Sequence, residues 1–86
     1  MTRNRIITAI DVGTDKCVTL IACIEEPQQT LRVMGVAAVP SRGMKRSQII
    51  DLEKVLETIT ESLDGAERMA GVEVKTAFAS VSGTHI

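Results

Sequence analysis

A chain of 86 residues makes at most one small domain, of a size that buries only about 60% of its unfolded surface. Ten basic side chains face eleven acidic ones, and Phe78 is the single aromatic residue. Nothing therefore suggests a nucleic-acid footprint, base-stacking platforms are removed, and a carbohydrate-lectin reading is weakened.

No apolar run approaches the ~20 residues that a membrane-spanning helix needs. The basic start, MTRNRIITAID, is interrupted at Asp11 with no small-residue cleavage pattern behind it, so a cytoplasmic protein is expected.

The first elements lie between Arg5 and Ile24, RIITAIDVGTDKCVTLIACI. Ile6, Ile7, Thr8 and Ile10 are β-branched, as are Val18, Thr19, Ile21 and Ile24 beyond the polar segment Asp11–Lys16. That composition predicts two strands joined by a tight hairpin. The hairpin carries an acid at the end of its first strand and a Gly13-Thr14 pair at its tip. Such a turn can aim successive backbone N–H groups at one point, a nest for phosphate oxygens. Gly and Asp also suit turns for conformational reasons alone, so an ordinary hairpin is the competing reading.

Cys17 and Cys23 fall on one strand and one face, ~20 Å apart at ~3.3 Å per residue. A disulfide needs Cα atoms within about 7 Å, so the pair cannot close within an intact strand. Metal binding fails for the same reason, with His85 the single histidine near the far end. Buried, reduced thiols acting as small hydrophobes are expected.

Glu25-Glu26-Pro27-Gln28-Gln29 is a polar turn, followed by a third strand over Thr30–Val39. The short connection predicts an antiparallel meander, and Gly35 inside the strand predicts a bulge or a close backbone approach. Pro40–Ser47, PSRGMKRS, is expected to be a solvated loop with local positive charge.

A helix comes next. Leu52, Val55, Leu56, Ile59, Leu63, Ala66 and Met69 recur at spacings of three and four, which predicts one apolar face. Asp51 suits the N-cap and Gly71 the position just past the C-terminus, while Gly65 in the interior costs about 1 kcal/mol relative to Ala. Val72–Val81 reads as a fourth strand, and a right-handed crossover places it parallel to a meander strand. Ser82-Gly83-Thr84 is the exit from the sheet, and His85 is expected to be exposed near the terminus.

Meander, helix and parallel strand make the opening half of the ribonuclease-H-like fold used by actin, Hsp70 and sugar kinases. IDVGTDK resembles the first phosphate loop of that superfamily. SRGMKRSQIID with its helix, and the closing SVSGTHI, resemble the FtsA family of bacterial cell-division proteins along nearly the whole chain. The resemblance implies an α/β, partial actin-like fold: a three-strand antiparallel meander, one helix, then a fourth strand parallel to the first. Residues 1–86 would form a single incomplete domain, the first part of subdomain 1A.

It also implies an ATP-binding protein that polymerises and tethers FtsZ at the inner face of the cell membrane at the division site. Asp11 would orient Mg²⁺ through water, Gly13 and Thr14 would contact the phosphates, and Lys16 could add a positive charge. Most of the nucleotide site, the FtsZ-binding surface and the membrane helix lie downstream in that family, so this chain alone should bind ATP and Mg weakly.

Two alternatives stand beside it: a small non-enzymatic module docking on an actin-like filament, and a fragment of a related pilus-assembly actin homologue, against which the SRGM segment argues. The second strand is apolar on both faces and one helix covers one face. Self-association of the chain is therefore expected.

Overall fold

The structure, a computed structural model, describes residues 4–46, 48–75 and 78–81. In chain order its elements are β1 (Asn4–Val12), β2 (Lys16–Glu25), β3 (Thr30–Pro40), β4 (Met44–Lys45), β5 (Gln48–Ile49), α1 (Leu52–Ala70) and β6 (Phe78–Val81). The β-branched runs on either side of Gly13–Asp15 pair as an antiparallel hairpin without a break, from Asn4↔Glu25 to Val12↔Cys17. β3 continues the meander on the other side of β2, giving the sheet order β3-β2-β1-β6. β6 runs beside β1 in parallel, from Ala9↔Phe78 to Val12↔Val81.

Gly35 fulfils both of its expected roles. The β2–β3 register shifts between Ile21, opposite Gly35, and Ala22, opposite Val33, which leaves Met34 as the extra residue of a bulge. A Cβ on Gly35 would also run into the Ala66 carbonyl of α1, so the helix can lie this close only over a glycine. Gly65 faces the same contact from the other side, where an added Cβ would stand 3.0 Å from the Ala37 methyl. Its helix-propensity cost is thereby offset by close packing.

The helix ends match their sequence signals. Asp51 caps α1 by accepting a hydrogen bond from the Lys54 amide at 3.2 Å, and Gly71 takes a left-handed φ of 74°. Its buried face differs from the expected one. Val55, Thr58, Ser62 and Ala66 point into the sheet, while Leu52, Leu56 and Met69 are exposed. The helix is turned toward its small residues because Gly35 and Ala37 draw it in too close for leucines.

The interface is accordingly thin and partly polar. Ile10, Val12, Cys17 and Val55 form an apolar cluster, with Val39, Met44 and Ile59 packed against it. Beside it lies a hydrogen-bonded seam. The Ser62 hydroxyl donates to the Ile59 carbonyl at 3.0 Å, leaving its oxygen to accept from Thr19 at 2.7 Å and from the Cys17 thiol at 3.4 Å. Both cysteines are buried and free, as expected. Cys17 does more than fill space, because its thiol belongs to this seam.

Two further expectations are corrected. The 40–47 segment is not a plain loop: Met44–Lys45 and Gln48–Ile49 form a small antiparallel ribbon of their own. Gly43 starts it at φ 81°, with its carbonyl accepting from both the Ile50 and Asp51 amides. The fourth strand is shorter than Val72–Val81. Val72–Lys75 are not extended into the sheet, because the Val74 amide is taken by the Glu67 carboxylate at 2.6 Å. The exit at Ser82–Thr84 and His85 lie outside the described residues.

The opposite face of the sheet has no helix over it among the described residues. Leu31, Val33 and Val36 are 57%, 54% and 43% exposed there. The chain exposes 6137 Å² in all, against roughly 5,000 Å² for a compact monomer of its mass. Its radius of gyration is 14.1 Å, where about 12 Å is usual for this length.

Candidate phosphate-binding hairpin

The four residues singled out in the sequence sit together at one end of the sheet. Asp11 is next to last in β1, opposite Val18, and its carboxylate is exposed. Alternation along β1 puts Ile10 and Val12 against the helix, so Asp11 belongs to the open face. Gly13, Thr14 and Asp15 make the connection, with Gly13 and Thr14 half-buried and Asp15 exposed. Lys16 opens β2 opposite Pro40 and is also exposed.

The tip does not offer a full row of free amides. The Gly13 N–H already donates to the Lys16 carbonyl at 2.9 Å. What Gly13 can offer an anion is the close approach of a backbone without a side chain, and any nest has to be completed by its neighbours. Charge points the same way. Two carboxylates, Asp11 and Asp15, stand in the hairpin against one ammonium, Lys16. A bare polyphosphate would meet net repulsion, whereas one carrying a divalent cation would present positive charge to Asp11.

Among the described residues no group of three or more His, Cys, Asp or Glu side chains could enclose a metal. A lone exposed carboxylate suits Mg²⁺ held largely by water and ligand oxygens, the ordinary habit of that ion.

Sequence reasoning missed how the tip is held. The Asp15 carbonyl accepts from the Ser41 amide at 3.0 Å. The next residue, Arg42, donates its amide to the Thr58 hydroxyl of α1 at 3.2 Å, and its guanidinium pairs with Glu61 at 3.3 Å and Glu57 at 4.0 Å. The basic segment read as solvated is thus partly neutralised by the helix. Glu57 and Glu61, one turn apart, were the available signal, but nothing local identified their partner.

Fold and site define an α/β chain whose first hairpin presents a carboxylate, a glycine-threonine tip and a lysine at one sheet end. No protein-family model matches the chain. Individual proteins do. The cell division protein FtsA of Pseudomonas aeruginosa is 34% identical over 83 residues, covering 96% of this chain and 20% of that protein. FtsA of Bacillus subtilis is 31% identical across 100% of this chain and 19% of its own length. FtsA of Borreliella burgdorferi is 33% identical across 100% of this chain and 20% of its own length.

The resemblance seen in SRGMKRSQIID and SVSGTHI therefore extends over the whole chain, which spans about a fifth of the curated relatives it matches. Among the described residues no helix is long and apolar enough to cross a membrane.

Proposed function

We propose that this chain is the N-terminal portion of an FtsA-like protein of bacterial cell division and carries the first phosphate-binding hairpin of an actin-like ATP site. The observation behind the reading is the end-to-end match to FtsA, joined to the exposed placement of Asp11 and Lys16 around the Gly13-Thr14 tip. Asp11 orients a hydrated Mg²⁺, Gly13 and Thr14 approach the phosphates, and Lys16 offsets their charge. The complete protein polymerises, engages FtsZ and works in the cytoplasm at the inner membrane face of the division site. This portion alone binds ATP weakly, because a single wall leaves the ligand solvated.

The test is a titration of Mg–ATP at millimolar concentration, followed by amide chemical shifts in the hairpin. Shifts at Gly13 and Thr14 that need Mg²⁺ and vanish in Asp11→Ala are expected. Equal shifts without Mg²⁺, or in Asp11→Ala, would refute the assignment.

A second reading draws on the open sheet face. Leu31, Val33 and Val36 stand about half exposed on it, an apolar patch of the kind that marks an interaction site. A module that docks on an actin-like filament without chemistry would use such a face. Reading the coding sequence past Ile86 separates the two: an actin-like continuation supports the first, an immediate stop the second.

A further inference from the structure

We propose that Ser41–Gly43 is the positioning segment of the hairpin tip, tying it to helix α1 so that tip and helix move as one unit. Each of its residues is anchored through the main chain. Ser41 donates to the Asp15 carbonyl at 3.0 Å, and Arg42 donates to the Thr58 hydroxyl at 3.2 Å. Gly43 accepts from the Ile50 and Asp51 amides at 2.8 and 3.1 Å, and Asp51 is the residue that caps α1. The tip thus reaches the helix by two routes, one at its cap and one at Thr58.

Thr58 is suited to the task. It is buried, and it donates its own proton to the Lys54 carbonyl at 2.9 Å. The proton commitment leaves the oxygen as an acceptor aimed at Arg42. Gly43 is irreplaceable at its anchor, since a Cβ there would collide with the Asp51 carbonyl at a φ that L residues rarely adopt. The segment even keeps the Ser41 hydroxyl oxygen buried without a partner among the described residues. Main-chain placement dominates over side-chain satisfaction there.

Asp15 is the last residue of the connection, and the Gly13–Lys16 hydrogen bond closes around it at 2.9 Å. Releasing Ser41 would free the Asp15 carbonyl and, with it, the orientation of Gly13 and Thr14. For ligand affinity the inference rests on the phosphate reading above, since small misplacements of a binding group are costly. For the mechanics of the tip it stands without that reading.

The experiment compares this chain with Thr58→Val and Thr58→Ser. In Thr58→Val, amide exchange at Ser41, Arg42 and Gly13 should rise by roughly tenfold or more, while the central β1 and β2 amides keep their protection. Mg–ATP shifts at Gly13 and Thr14 should need roughly tenfold more ligand. Thr58→Ser, which keeps the hydroxyl, should restore both.

Unchanged exchange at Ser41 and Gly13 would overturn the proposal. So would an increase spread evenly over the sheet, or a failure of Thr58→Ser to restore protection. If exchange responds as stated while even the unaltered chain shows no Mg–ATP shifts, the tie holds and the phosphate reading fails. Should Thr58→Val not fold, Thr58→Ala carries the same expectations.

Discussion

One sheet here presents two apolar faces that are built differently. On the helix side, Cys17, Thr19 and Ile21 are wholly buried and their neighbours are small: Gly35, Ala37, Ser62 and Ala66. On the open side stand Leu31, Val33 and Val36, bulkier and about half exposed. Apolar character is thus a poor guide to which face is filled. The covered face is the one whose side chains are small enough to let a helix approach and whose polar groups find partners across the gap. The open face has the residues of a core and, among the described elements, nothing against them.

The largest effect should come from placing one kind of truncation on each face. Ile21→Ala empties a site at 0% exposure and should cost about 2–5 kcal/mol, enough to unfold much of so small a domain. Leu31→Ala, at 57% exposure, should change stability by less than about 0.5 kcal/mol. Urea denaturation measures both. In light scattering, any self-association through the open face should be weaker in Leu31→Ala, because the change removes apolar area from that face. Equal destabilisation by the two would mean that the open face is filled after all.

Next in size is Gly35→Ala. The added methyl meets the Ala66 carbonyl, a backbone group that can yield only if α1 shifts as a whole. A loss of about 1–3 kcal/mol is expected, the range for overpacking a well-filled interior. Stability unchanged within about 0.5 kcal/mol would show that the helix has room to lift, and that its choice of small residues has another cause.

How far this arrangement could be read in the sequence depended on the range of each signal. The hairpin was legible because β-branched runs flank Gly13–Asp15, and both helix ends because Asp51 and Gly71 act through neighbours within one turn. The helix face was not. Periodicity gives weight to Leu52, Leu56 and Met69, whereas the burial of Ala66 was decided by Gly35 and that of Ser62 by Cys17 and Thr19, all on distant strands.

The ribbon at Met44–Ile49 has two residues per strand, too few to leave a period. Val72–Lys75 alternate like a strand, yet Glu67 takes the Val74 amide that a ladder would need. The candidate site residues were visible because Asp11, Gly13, Thr14 and Lys16 fall within one short segment. Their tie through Ser41 and Thr58 was hidden because the 41–42 segment contributes main-chain amides to it, which carry no residue signature.

The last effect, no larger than that at Gly35, concerns the seam that joins the covered face to the helix. Ser62→Ala removes the acceptor shared by Thr19 and Cys17 and strands a buried hydroxyl and a buried thiol. A loss of about 1–3 kcal/mol is expected, since an orphaned polar group forfeits its hydration without recompense. Thr19→Val alone should cost less, about 0.5–1.5 kcal/mol, because Ser62 keeps Ile59 and Cys17 as partners. Made in the Ser62→Ala background, the same Thr19→Val change removes a hydroxyl that has already lost its partner. It should then be neutral or stabilising, so the double variant is no less stable than Ser62→Ala. A double-mutant cycle read by urea denaturation gives the coupling directly. Strict additivity would mean that the two hydroxyls do not share a bond in solution, and that this face is held by packing alone, as any face of the open kind would be once covered.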